Sequence, residues 1–390
     1  MDNFTMSMPT EVLFGQEMTK NLSDMIKKYN GSRVLIVYGG GSVKKTGIYD
    51  MVTDHLKENG IFYKELAGVK PNPRISSVRE GIKIIRENKL DFILAVGGGS
   101  VIDASKGMAA GSTYDGDPWD FYLRKAKLEK SPLPIGVILT LAATGSEMNG
   151  GSVVSNDETE RKLPFRHPML KPKFSILDPT FPFSLPKFHT AAGITDIMAH
   201  VFEQYFSPTD SAYLSNRLAE AIMKTCIHYA PKVMENPFDY EARANILWSG
   251  TLALNELLTY GKVTDWATHL IEHEISAIYD ISHGAGLAIL FPNWMKFVLD
   301  EDNVNKFIEF AKNVWDVNTK GKTELDIALE SIERTREFFD FLEMPSSLTE
   351  VGIDDSRLEE MADKAIIFGD LGGFKKLGKE DVLEILKMSL

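Results

Sequence analysis

Residues 265–286 read DWATHLIEHEISAIYDISHGAG, and three of the chain's eight histidines fall in the fifteen positions from His269 to His283. Imidazole titrates near neutral pH and is the commonest metal ligand, so such a cluster points to proton transfer or metal binding. His269 and His273 are four apart and share one side of a helix, one turn apart. His283 stands just before Gly284, where a new helix is expected to begin. A second segment, AAGITDIMAHVFEQYF (191–206), repeats the i, i+4 spacing with Asp196 and His200. Asp196 interrupts an apolar stretch, where a carboxylate needs a partner or a metal.

Asp196, His200, His269 and His283 together offer one carboxylate and three imidazoles, a donor set suited to Fe2+ or Zn2+. His273 is then left one turn from a ligand, as a candidate proton carrier and catalytic residue. A rival reading takes HLIEH as the H-x-x-E-H pattern of zinc peptidases, with His269 and His273 as ligands and Glu272 as base. It leaves Asp196, His200, His283 and the glycine loops described next without a role. In the metal-centre reading Glu272 and Glu274 are expected to be solvated or salt-bridged helix residues.

Two apolar runs end in glycines: VYGGGSVKKTG (37–47) and AVGGGSVIDASKG (96–107). Glycines let a pyrophosphate approach the backbone, and a helix starting near Ser100 favours its negative charge. Gly97, Gly98, Gly99 and Ser100 are therefore candidate phosphate contacts. A third loop, TLAATGSEMNGG (140–151), offers the hydroxyls of Thr140 and Thr144, and Lys162 could face a ribose or phosphate. Coenzymes of this kind often meet an acidic residue at a strand end, which holds the ribose 2′-OH and repels a 2′-phosphate. Here Gly39, Gly40, Gly41 and Ser42 stand at that end, with Lys44 and Lys45 following and no acid. NADP(H) is expected to be accepted, and favoured over NAD(H).

These groups need elements to hold them. RVLIVY (33–38), IFYKEL (61–66), DFILAV (91–96), IGVILT (135–140) and KFSILD (173–178) read as strands, alternating with helical patterns at 47–60 and 76–88. Near-continuous apolar strands between helices argue for a parallel sheet covered on both faces. Beyond DPTFPFSLP (178–186) the periodicity is helical, near 187–206, 211–233, 238–259, 284–299, 323–342 and 378–389. The expectation is an α/β dinucleotide-binding (Rossmann-like) domain over 1–180 and an all-helical metal and catalytic domain over 181–390. A chain of 390 residues suits two cores.

Composition narrows the partners. A formal charge of −12 makes the chain a poor general binder of nucleic acid. No run approaches the ~18 apolar residues of a membrane span, and the first residues, MDNFTMSMPTEVLFG, do not look like a signal peptide. One cysteine, Cys226, forms no internal disulfide, which suits a reducing cytoplasm.

With these segments in view the sequence resembles the iron-dependent (group III) alcohol dehydrogenases, in particular their clostridial-type butanol dehydrogenase branch. MPTEVLFG, YGGGSVKKTGIYD, GVKPNPR, VGGGSVIDASKG, ATGSEMNG, FSILDPT, AAGITDIMAH, DYEARANILW and HLIEHEISAIYDISHGAGLAILFPNWM carry the likeness over essentially the whole chain. The resemblance implies the dehydroquinate synthase-like two-domain fold, with the coenzyme in a cleft and a metal on Asp196, His200, His269 and His283. It implies that His273 lies near the nicotinamide, and that Gly39 to Ser42, Asn72, Asp103, Thr140, Thr144 and Lys162 join Gly97 to Ser100 in binding the coenzyme. Relatives tied to NAD carry an aspartate at the position of Gly39 or Gly40, from which this chain departs. The implied reaction is hydride transfer between NAD(P)H and a small aldehyde, giving a short primary alcohol, in a homodimer formed partly through the N-terminal strand. A zinc-dependent polyol dehydrogenase of the same fold is the nearer alternative. Asn149, Trp266 and 368–374 are expected around the substrate.

Overall fold

The computed structural model describes residues 1–390. Its contacts divide into two compact units. One comprises Ser7–Leu185 and Pro237–Asn255; the other comprises Met1–Met6, Pro186–Asn236 and Glu256–Leu390. No helix is long and apolar enough to cross a membrane.

The first unit is built on a six-stranded parallel sheet. Its strands are β1 (Glu11–Phe14), β2 (Arg33–Tyr38), β3 (Phe62–Leu66), β4 (Phe92–Gly97), β5 (Ile135–Leu139) and, after a hairpin of β6 (Gly151–Asn156) and β7 (Arg161–Arg166), β8 (Phe174–Leu177). The order is β1-β8-β5-β4-β2-β3. Strand side chains alternate between faces, and both faces are covered. Leu35, Val37, Ile93, Ala95 and Val137 pack with Val78, Ile82 and Met108 of the helices Ile75–Asn88 and Gly99–Ser112. Val34, Ile36, Leu94, Val96 and Ile138 pack on the other side with Leu22, Ile26, Val52 and Leu56. That double covering explains the unbroken apolar strands.

The helix Tyr240–Ala253 belongs to this unit although its sequence reads like the helical half. Its buried Thr251 hydroxyl donates to Glu147 Oε1 at 2.6 Å, and the backbone carbonyl of Leu254 accepts from the Asn149 amide at 3.1 Å. The chain passes between units at Leu185–Pro186, within the turn-rich stretch 178–186, as well as after Met6, Asn236 and Asn255.

The second unit is helical. The helices Lys187–Tyr205, Tyr213–Glu235, Ala267–Tyr279, His283–Val298, Val304–Asn313, Glu324–Phe341, Leu358–Ala365 and Lys379–Met388 form it. Residues Thr190 to Tyr205 are all buried, as expected for a central helix whose apolar residues run all round. Phe202 meets Phe291 and Phe310 edge-on at centroid distances of 5.3 and 5.6 Å, and Phe206 meets Trp294 at 5.7 Å. This aromatic core begins two residues beyond His200. The first residues of the chain join this unit through Asp2, whose N–H donates to the Gly261 carbonyl at 2.9 Å.

Candidate metal centre and coenzyme loops

Three helices of the helical unit supply the metal-ligand candidates. Asp196 and His200 lie on Lys187–Tyr205, His269 and His273 on Ala267–Tyr279, and His283 opens His283–Val298. Asp280, left-handed at φ 53°, ends the second of these helices, so a short link brings His283 back beside His269. Their ring centroids are 5.3 Å apart, and those of His200 and His269 are 4.6 Å apart.

Asp196 Oδ1 is the focus. It lies 3.3 Å from His200 Nδ1, 3.7 Å from His283 Nε2 and 4.0 Å from His269 Nε2. Metal–ligand bonds of about 2.1 Å in a tetrahedral shell set neighbouring donors about 3.4 Å apart, so this spacing fits a shared cation. Asp196, His200 and His269 each present a donor within 4.8 Å of the others; Glu272, His273 and His283 do the same. His283 bridges the two groups, through Nε2 toward Asp196 and Nδ1 on Glu272. Burial and the adjacent His269 and His283 hold His200 well below the usual imidazole range, which leaves a neutral nitrogen with a lone pair. His273 is buried, with its ring 5.7 Å from that of His283.

The helix surface is not where Glu272 and Glu274 lie; both are buried. Glu272 accepts from His283 Nδ1 and from the Ser276 hydroxyl, one oxygen each. With both oxygens engaged, it is unsuited to the base that the H-x-x-E-H reading requires. Glu203, one turn after His200, contacts His269 Nδ1 at 2.7 Å and accepts from the backbone N–H of His269 at 3.0 Å and of Trp266 at 2.6 Å. Burial pushes Glu203 up to about 8, against the pull of those N–H groups. Trp266 is left-handed at φ 72°, an uncommon conformation for an aromatic residue. Next to it, Asp265 accepts from the N–H groups of Ala267, Gly373 and Phe374 at 2.8–3.0 Å, tying the 369–374 loop to the start of the helix. Glu203 and Asp265 had a legible signal: each is a carboxylate in an apolar or turn segment, the argument already applied to Asp196.

In the α/β unit, three loops leave the carboxyl ends of neighbouring strands β2, β4 and β5, where open parallel sheets bind ligands. Gly39, Gly40 and Gly41 follow β2, and Ser42 opens a short helix. Gly97 ends β4, Gly98 caps the fourteen-residue helix Gly99–Ser112, and Ser100 lies in its first turn. Thr140 N–H donates to the Gly97 carbonyl at 3.1 Å, joining two loops. Thr144 folds over the helix start: a Cβ on Gly99 would lie 2.5 Å from its Oγ1 and Cγ2. This is a backbone cradle with helix N–H groups exposed to a ligand, and it suits a pyrophosphate.

The other expected coenzyme residues are less uniform. Asn72 is buried and left-handed at φ 50°. Lys162 is buried on β7, opposite Ser155 of β6. Asp103 is already engaged, accepting from the Ser146 hydroxyl at 2.5 Å and Val153 N–H at 2.9 Å. Burial raises its carboxyl above the usual range, opposed by Lys106 and these bonds. Asn149 is likewise occupied, its amide holding Lys106, Gly151 N–H and the carbonyls of Gly145 and Leu254. The end of β2 carries no acid, but Glu65 of β3 stands beside it. Its carboxylate lies 3.6 Å from Lys44 Nζ and accepts from the hydroxyls of Tyr38 and Tyr49.

Comparison with known proteins agrees with both halves. Residues 9–179 match the family model of the iron-containing alcohol dehydrogenases, and 190–390 match the C-terminal domain model of the same family. The chain is 53% identical to NADH-dependent butanol dehydrogenase A of Clostridium acetobutylicum, over the full length of both. It is 39% identical to an NADPH-dependent aldehyde reductase of Escherichia coli, with 93% of each chain covered. The crystal structure of NADH-dependent butanol dehydrogenase A from Thermotoga maritima superposes with a TM-score of 0.96 at 41% identity, covering 100% of this chain and 99% of that one. A parallel α/β unit and a helical unit carrying a histidine–carboxylate cluster thus have their counterpart in a known family, and the chain belongs to the iron-containing alcohol dehydrogenases.

Proposed function

We propose that the protein is a metal-dependent alcohol dehydrogenase that reduces small aldehydes, butyraldehyde among them, to primary alcohols with NAD(P)H, and runs the reverse reaction. The observation that carries the reading is the convergence of three imidazoles on Asp196. Asp196, His200, His269 and His283 would hold the cation, Fe2+ by preference or Zn2+. A divalent cation there supplies Lewis acidity toward a carbonyl oxygen, and the nicotinamide supplies the hydride.

The chain's own groups do the rest. Gly97 to Ser100 and the start of the helix Gly99–Ser112 bind the pyrophosphate; Gly39 to Ser42, Asn72, Thr140, Thr144 and Lys162 line the remainder of the coenzyme. Asp103 acts through the Ser146 loop rather than as a direct contact. His273 donates the proton that completes the alcohol, and its place beside His283 rather than beside Asp196 supports a role off the metal. Lys44 and Lys45 with no acid at Gly39 to Ser42 favour NADPH, and NADH is accepted as well. The butanol dehydrogenase and aldehyde reductase relatives, which differ in coenzyme, support both. The sheet ends in β1, whose free edge suits strand pairing with a second copy in a homodimer. A single buried thiol is compatible with the cytoplasm.

The test is a coenzyme-oxidation assay on protein loaded with Fe2+ or Zn2+, titrating butyraldehyde and glycerol-type polyols against NADPH and NADH. Butyraldehyde-dependent oxidation with higher kcat/KM for NADPH is expected. Activity confined to polyols with zinc would favour the polyol reading, and a strong preference for NADH would overturn the coenzyme assignment.

A further inference from the structure

The two imidazoles that come from outside the Asp196 helix share one feature. Each turns Nε2 toward Asp196 and has a buried carboxylate at Nδ1: Glu203 on His269, Glu272 on His283. We propose that Glu203 and Glu272 are positioning residues that fix the tautomer and ring orientation of His269 and His283 for metal binding. The inference rests on the metal reading above.

Both carboxylates are fully buried, and burial of a carboxylate is costly unless its lone pairs are used. Here they are used on the histidines and on the backbone that carries them. Nδ1–H donation to a carboxyl oxygen leaves Nε2 as the lone-pair nitrogen, the tautomer a cation at Asp196 requires. Glu203 does more than orient a ring. One oxygen takes both Nδ1 and the backbone N–H of His269, and the other takes the N–H of left-handed Trp266. One carboxylate on the Asp196 helix thereby sets where the His269 helix begins. Glu272 links the other pair of helices. It takes His283 Nδ1 on one oxygen and Ser276, one turn on, on the other. Gly286 leaves the room: a Cβ there would lie 2.8 Å from Glu272 Cγ and 2.9 Å from Oε1. A larger residue would push the His283 helix off Glu272. The four groups form two carboxylate–imidazole pairs converging on one carboxylate.

The experiment measures Co2+ binding to metal-free protein by competition with a chromophoric chelator, with the visible absorption of bound Co2+ as a second readout. Glu203→Gln, Glu272→Gln and Glu272→Leu are compared with wild type and Asp196→Ala. Loss of such an outer partner costs about 10–100-fold in metal affinity. Glu272→Leu is expected to fall in that range with an altered Co2+ spectrum. Glu272→Gln, whose carbonyl still accepts from Nδ1–H, is expected to lose less than Glu272→Leu, and Glu203→Gln is expected to lose affinity too. The Gln variants are close to isosteric, so unchanged melting of the metal-free protein separates positioning from packing. Wild-type affinity and spectrum in all three variants would overturn the inference while leaving the metal reading intact. Wild type that binds no Co2+ above Asp196→Ala would overturn both.

Discussion

Gly99→Ala puts one methyl group where the coenzyme reading needs none, and the structure sets its size. The backbone of Gly99 is already helical, so an alanine is not strained and gains up to about 1 kcal/mol of helix propensity. The new Cβ, however, would lie 2.5 Å from Thr144 Oγ1 and Cγ2 and 3.0 Å from its Cβ, well inside contact distance. Overpacking of this kind costs about 1–3 kcal/mol. Net destabilisation of about 0–3 kcal/mol follows, which for a unit of this size lowers Tm by at most about 12 °C. Thr144 must also move, and with it the loop over the pyrophosphate, so KM for NADPH should rise several-fold while metal content stays the same. Gly40→Ala is the contrast. No atom lies within 4 Å of a Cβ there, and its φ is not left-handed. The fold should be unaffected or slightly stabilised, so any rise in KM for NADPH reports coenzyme approach alone. The assays are thermal melts and steady-state kinetics with varied coenzyme. Wild-type KM for NADPH in both variants would refute the phosphate-cradle reasoning.

Three further outcomes are expected. Thr251→Val removes the 2.6 Å hydrogen bond to buried Glu147 and should destabilise by about 1–3 kcal/mol, read as a lower urea midpoint. Phe202→Ala, which empties the aromatic core two residues from His200, should cost about 3–5 kcal/mol and release metal at lower temperature than wild type. Lys262 is buried against Asn216, and burial with the nearby Lys306 lowers its pKa to about 7. The unfolded chain binds this proton up to about pH 10.4 while the folded chain releases it near 7, so Lys262 makes stability rise as pH increases between those values. Lys262→Met should remove that gain: from pH 7 to pH 9 the wild-type unfolding midpoint should rise relative to the variant's, and a constant difference would count against it.

The metal donors and glycine loops were legible because their chemistry imposes local spacing. Asp196/His200 and His269/His273 declare a shared helix face, and glycines at strand ends declare close backbone approach. Covered strands such as RVLIVY announced a parallel sheet by lacking polar alternation. The hairpin at 151–166 is not legible, since GSVVSN and RKLPFR mix apolar with polar or charged residues without clean alternation. Which unit the helix 240–253 joins depends on long-range contacts, among them Thr251 with Glu147 and Leu247 in the sheet core, that no periodicity encodes. The burial of Glu272 is hidden for a related reason. Its neighbours in sequence are two histidines and a second glutamate, which look solvated; its burial comes from His283, eleven residues on, returning over Gly286. The approach of Glu65 is hidden in the sequence because it meets Lys44 from the adjacent strand rather than from the loop itself.

The central claim is that hydride transfer from NAD(P)H requires a cation held at Asp196. The direct measurement is NADPH oxidation by butyraldehyde with metal-free, Fe2+-loaded and Asp196→Ala protein, each assayed alongside its bound metal. Turnover is expected only in the loaded wild type, with metal and activity lost together in Asp196→Ala. Equal turnover by metal-free protein, or full metal content in Asp196→Ala, would contradict it.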